Sequence, residues 1–291
     1  MYSAVWMLAL FAAPPQDAGP PLPELGPFLQ EIRRTIRSDR LLLSQYTYRE
    51  TQTEHHLEKS GKVKKTEVTV SEVYPSLEEG LTYRRVIVRD GKPVPSEEIA
   101  KQDREHDKKL AERAKKLERE GADARARREA KEAEERRRED EAIDEMFAIY
   151  EITMTGREIV DGYGTIRLQF RPRPRVKPRT RGGKAMSKVS GQAWFNEQDH
   201  QLMRVEAELI SDFKLGFGVL AKLNKGARMR FERRRVNDEI WLPAAARFSG
   251  TGRILLLKGM RLDVVSEYSD HRKFTVRTSV TYGSGEAQPP P

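Results

Sequence analysis

Cysteine is absent from the 291 residues. That excludes a disulfide framework, a thiolate metal site, a cysteine nucleophile and a lipid-modified N-terminal cysteine. Histidine is scarce: His55, His56, His106, His200 and His271. On a strand, adjacent His55 and His56 face opposite ways, and there is no His-x-x-x-His pair. The sequence therefore offers no metal ligands and no catalytic residues. The Gly-x-Ser-x-Gly, P-loop and Gly-x-Gly-x-x-Gly signatures are missing too, and Gly216-Phe217-Gly218 lacks a βαβ context. No reaction can be read, so the chain is taken as a non-enzyme without a cofactor. The apolar run at 4–13 is too short to span a bilayer. It suits the core of a secretory signal cleaved near Ala18, although no Lys or Arg precedes it. Residues 1–23 are accordingly read as a signal peptide followed by a Pro-rich linker, and export is expected.

What is present is mainly charge. Charged residues make up 34% of the chain and hydrophobic ones 37%, at a mean hydropathy of −0.74. That is too polar for one uniform globule, so some segment must be a solvated extension. The segment is 96–146. Over 97–145 it carries 15 Lys/Arg against 18 Asp/Glu. Ile99, Leu110, Leu117 and Ile143 keep no heptad, which weighs against a stable coiled coil. Ser96 can cap a helix, Gly121 can bend it, and pairs such as Glu112–Lys116 and Glu132–Arg136 can hold it in water. The net charge of +9 therefore comes from the rest of the chain. Part of it lies in 171–188, with eight basic residues and no acid. Three prolines and two glycines there predict an irregular, exposed loop. Arg171, Arg173, Arg175, Lys177, Arg179 and Arg181 are its candidates for contact with an anionic surface, at about 1 kcal/mol per charge near anionic lipid. Nucleic acid is disfavoured as a partner: the arm is net negative and export removes the chain from the cytoplasm.

The remaining pattern is one helix followed by strands. Residues 27–43 predict a helix with Pro27 in its first turn and an apolar stripe of Leu25, Leu29, Ile32, Ile36 and Leu43, widened by Phe28. The central stretch is 189–210. Met203, Val205, Ala207 and Leu209 are expected on one face of its second strand, opposite Arg204, Glu206 and Glu208, after a turn at 196–200. Similar alternation gives inward-facing Val86 and Val88, Ile152 and Met154, Leu168 and Phe170, Met229 and Phe231, and Met260, Leu262 and Val264. Residues 212–226 are expected to be a short helix or crossover loop, and 283–291 a disordered tail. The fold class is α+β. A large curved antiparallel sheet of about ten strands forms a half-barrel around the N-terminal helix, with the long charged helical insertion. It is one domain over 24–282, interrupted by the arm at 96–146.

The order of helix, Tyr-rich strand, meander, GQAWFNEQDHQLMRVEAEL at 191–209 and VNDEIWLPAAARF at 236–248 resembles the LolA/LolB superfamily. That superfamily comprises lipoprotein carriers of the bacterial envelope and the related RseB-type sensors. Residues 191–199 are similar to its Gly-x-x-Trp-Phe/Ile-Asp hairpin. The resemblance implies a soluble periplasmic protein whose half-barrel, covered by helices, holds an acyl chain or another hydrophobic ligand. Leu29, Ile32, Ile36 and the inward residues of the strands would line the cavity. The chain departs from the superfamily in its charged arm and its missing lipid-anchor cysteine. Two other readings stay open: an envelope interaction protein docking a partner through the arm and basic loop, and a nucleic-acid binder using that loop.

Overall fold

The computed structural model describes residues 21–76, 81–215, 221–254 and 259–274. Most of the expected signal peptide and linker, and the tail from 283, lie outside them, as does the side chain of Leu43. An N-terminal helix α1 (Leu25–Leu43) leads into a meander of β1 (Tyr46–Leu57), β2 (Val63–Tyr74), β3 (Tyr83–Arg89) and β4 (Lys92–Pro93). The charged segment forms α2 (Ser96–Glu118) and α3 (Ala122–Ile149), separated at Gly121. Then come β5 (Tyr150–Val160), β6 (Tyr163–Pro172), α4 (Arg181–Met186), β7 (Val189–Asn196), β8 (Leu202–Leu209), β9 (Phe213–Leu215), β10 (Ala221–Leu223), β11 (Arg228–Val236), β12 (Ile240–Ile254) and β13 (Gly259–Lys273).

All the strands belong to one open antiparallel sheet, a half-barrel around α1, ordered β4-β3-β2-β1-β13-β12-β11-β8-β7-β6-β5. Its first long strand pairs with its last, so the N-terminal meander is held by the C-terminal end of the chain. Asp90-Gly91 and Asp161-Gly162 turn two of the hairpins with both residues at positive φ. That matches the twist of the flanking strands. The ten long strands are those the alternation predicts. Three short ones, β4, β9 and β10, bring the total among the described residues to 13. The last two correct the expectation of a helix or crossover at 212–226. Ala221 to Leu223 pair antiparallel with β12, where a side chain at Gly252 would strike the Lys222 carbonyl.

The main core lies between α1 and one face of β5–β8. Phe28 and Ile32 of α1 and Phe147 of α3 pack on Ile166, Leu168, Ala193 and Phe195. We call this side of the sheet the helix face. The opposite face has its own smaller core, Val160, Trp194, Met203 and Trp241, with Tyr163 against it. Polar groups fix its two indoles: Trp194 Nε1 donates to Glu158 at 2.9 Å, and Trp241 Nε1 to Asp199 at 2.8 Å. Asn196, 2% exposed, accepts from the N–H groups of Gln198 and Asp199 and so forms the β7–β8 turn.

The arm runs from one edge of the sheet to the other. No residue of α2 is buried, and in α3 only Glu145, Phe147 and Ile149 are. At the β3 edge the Gln102 amide bonds both the N–H and the carbonyl of Val86, at 2.9 and 3.1 Å. Asp103 bonds Arg85 and the Tyr83 hydroxyl, and the His106 ring stacks on Tyr83 at 4.2 Å.

Candidate functional site

In an antiparallel ladder, directly paired residues share a face, so the register traces rows of side chains across the sheet. One row on the helix face reads Leu168, Ala193, Val205, Phe231, Ala246, Ser266, Gln52, Thr69. The next reads Phe170, Gly191, Ala207, Met229, Phe248, Val264, Glu54, Glu67. Both are apolar from β6 to the middle of the sheet and polar on β1 and β2. Under α1 and α3 the apolar part is filled core, with Leu168 at 3% exposure. Ile152, Met154 and Phe170 pack against that core, as does Leu29. Leu209 is also buried. Further along, Phe231, Phe248, Met260, Leu262 and Val264 are half-buried, and Met229 is 45% exposed. The candidate site is this partly exposed apolar stretch of β11–β13.

Gly191 of the Gly-x-x-Trp-Phe stretch has a physical role here. A Cβ at that position would meet the Phe170 ring at 2.8 Å and the Ala207 backbone at 2.9 Å. Glycine lets the ring approach the β7 backbone closely. Trp194 and Phe195 then serve opposite cores, one on each face.

Three of the sequence-predicted residues lie elsewhere. Met203 is buried on the opposite face with Trp194 and Trp241. The register shifts between Trp194 and Phe195, so Met203 is an extra residue in β8 and the alternation breaks there. A second shift, between Val70 and Ser71, pairs Val88 with Val70 and Val86 with Ser71. The two valines therefore face opposite sides, Val86 on the helix face. Ile36 on α1 is 41% exposed.

The basic loop is more ordered than its composition predicts. Residues 181–186 form α4, capped by Thr180, whose hydroxyl accepts from Gly183 N at 2.8 Å. Glu145, 3% exposed at the end of α3, accepts from the Arg179 and Thr180 N–H groups and from the Thr180 hydroxyl. Burial alone would raise its carboxyl. The Thr180 hydroxyl and the two backbone donors outweigh it and hold the group below the usual carboxylate range. Burial pushes the neighbouring Tyr150 hydroxyl up to about 12, and it donates to the Met186 carbonyl at 2.8 Å. Arg171 pairs with Glu151 and Arg173 donates to the Tyr150 carbonyl. All six basic candidates are exposed.

A groove of about 840 Å³ lies across β6, β7, β8, β11 and β12, lined chiefly by opposite-face side chains such as Gln169, Gln192 and Glu206. Its arginines are already matched: Arg171 with Glu151, Arg228 with Glu208, Arg230 with Glu232 and Arg247 with Asp263. Charge-compensated in this way, it offers no bare positive charge for a phosphate.

No protein-family model and no curated protein matches the chain. Similar solved structures include a LolA superfamily protein from Nitrosomonas europaea at 9% identity and TM-score 0.28, covering 85% of this chain and 94% of that one. A DUF1329 family protein from Desulfovibrio piger matches at 15% identity and TM-score 0.28, over 85% and 93% of the two chains. A MucA/MucB complex structure from Pseudomonas aeruginosa matches at 9% identity and TM-score 0.22, over 86% and 98%. Likeness at this level carries no argument about ligand or partner.

Proposed function

We propose that the chain is an exported, non-catalytic carrier or sensor that takes the acyl chain of a lipid, or another hydrophobic ligand, on the helix face beside α1. The observation that carries this reading is the half-exposed apolar stretch of β11–β13, continuous with the core under α1. Apolar surface left partly open beside a packed core suits a binding groove. Met229 and Met260 adapt their shape to a ligand. Each methylene buried contributes about 0.8 kcal/mol, so ten would give roughly 8 kcal/mol before ordering costs. No described helix is long and apolar enough to cross a membrane. The exposed arginines of the basic loop supply the contact with an anionic membrane surface.

The test is native mass spectrometry of the purified chain, where bound lipid is expected, with a fluorescent fatty acid as the probe for variants. Met229→Glu and Val264→Glu replace partly exposed residues and should leave the fold intact. Each should weaken probe binding by at least about 10-fold, the factor equivalent to 1.4 kcal/mol. Unchanged binding in both variants sinks the reading.

A second reading, partner docking through the arm, is favoured by one observation: α2 runs for 23 residues with none buried. Shortening α2 and α3 by equal numbers of turns between 107 and 138 keeps both anchors. Loss of partner capture with probe binding retained would favour docking.

A further inference from the structure

We propose that Glu54, His56 and Glu67 form a binding site for a divalent transition-metal ion of the zinc class. The inference is independent of the acyl-chain reading. Strand alternation puts Glu54 and His56 on the same face of β1, while His55 points the other way, its Nδ1 2.9 Å from the Thr66 hydroxyl. Glu67 of β2 stands directly opposite Glu54. An i, i+2 pair on one strand with a third residue across the ladder brings three ligand atoms to one point. Here one atom from each residue lies within 4.8 Å of the others. His56 Nε2 is 3.0 Å from a Glu54 oxygen and 3.5 Å from a Glu67 oxygen. Ligands about 2.1 Å from a tetrahedral ion are about 3.4 Å apart, so two of the three separations already suit one.

The donor set narrows the ion. One imidazole and two carboxylates, with no thiolate, suit Zn²⁺ and its first-row neighbours, with water in the remaining positions. Nε2 is the ring atom aimed at the carboxylates, so metal would take it and leave the proton on Nδ1. The scaffold is rigid, because β1 is paired along this stretch with β13 on one side and β2 on the other. Preorganisation of this kind is what a metal site requires.

Lys65 is the competitor. It stands opposite His56 in the ladder and its ammonium pairs with Glu67. That pairing is the leading cause holding the Glu67 carboxyl below its usual range. The ammonium pairs with Glu67 Oε1 while His56 Nε2 faces Oε2, so lysine and ion compete for the charge of one carboxylate, which gives the proposal a sign that can be measured. Removing the lysine should strengthen metal binding, whereas in a site that merely pairs charges it would only expose Glu67.

The experiment titrates the full chain with ZnCl₂ against a chromophoric chelator and by calorimetry, with Co²⁺ absorption as a second readout. We expect one ion per chain. His56→Ala and the Glu54→Gln/Glu67→Gln double variant should each lose at least about 10-fold in affinity, the least that loss of even a second-shell partner costs. His55→Ala should bind as the parent does, and Lys65→Met more tightly. Circular dichroism of the metal-free variants confirms that each is folded. Absence of 1:1 binding at tens of micromolar Zn²⁺ overturns the proposal. So does full affinity in His56→Ala, or equal loss in His55→Ala.

Discussion

Gly191 sits where any side chain would strike the Phe170 ring and the β8 backbone. Gly191→Val should therefore lower stability by about 1–3 kcal/mol through overpacking, read as a fall in the urea midpoint. Glu145 makes a different prediction. Its carboxyl is held below its ordinary value in the folded state, so the unfolded chain takes up its proton first as the pH falls. The stabilisation it gives is complete above the ordinary carboxylate pKa and is lost as pH drops through the lower, folded value. The melting temperature of the parent should accordingly fall more steeply below about pH 4.3 than that of Glu145→Gln. At neutral pH the glutamine variant should cost about 2 kcal/mol, since hydrogen bonds to a charged acceptor are being lost. Parallel melting profiles across pH 3–5 would show that the buried carboxylate does not hold the loop.

Among the elements, β3 carries the sharpest liability. Beyond the two residues of β4 its outer edge is open, and unpaired edges recruit other strands. The Gln102 side chain takes the part of a missing strand by bonding both backbone groups of Val86. Gln102→Ala should speed hydrogen exchange at the Val86 amide by more than about 10-fold and raise the tendency to aggregate, at a stability cost of about 1–2 kcal/mol. Unaltered exchange would mean that the edge is protected some other way. The arm thus does a structural job at each end, at Gln102 and Asp103 on one side and Glu145 on the other, while the helix between is held by exposed pairs such as Arg137–Glu141 and Arg138–Glu134. Such solvent-screened pairs contribute little singly and hold the helix by their number.

For the whole molecule, the decisive contact is between β1 and β13. It joins residues more than 200 positions apart, Tyr46 with Lys273 and His56 with Leu262. Among the described residues, strands β1 to β4 are hydrogen-bonded to the rest of the sheet only through β13. A chain ending before Gly259 should lose cooperative unfolding, with residues 46–93 becoming protease-sensitive while α1 and the β5–β8 unit it covers stay more resistant. Limited proteolysis with mass mapping distinguishes this from uniform destabilisation. Contacts this distant in sequence also predict slow refolding, at milliseconds to seconds or longer.

Local periodicity was enough to place the ten long strands, the amphipathic helix and the charged arm, because 3.6- and 2-residue repeats and Asp-Gly turns act within a few residues. Composition alone marked the arm as solvated. Pairing decided the rest. Bulges in β8 and β3 turned Met203 and Val88 away from the face their spacing assigned, and a bulge depends on the partner strand as much as on its own residues. A search for a second histidine overlooked the set around His56, since Glu67 becomes its neighbour only across the β1–β2 ladder. Which apolar side chains became filled core, and which stayed partly exposed on β11–β13, depended on where α1 and the end of α3 came to lie. That is a property of the folded chain, and no repeat along the sequence encodes it.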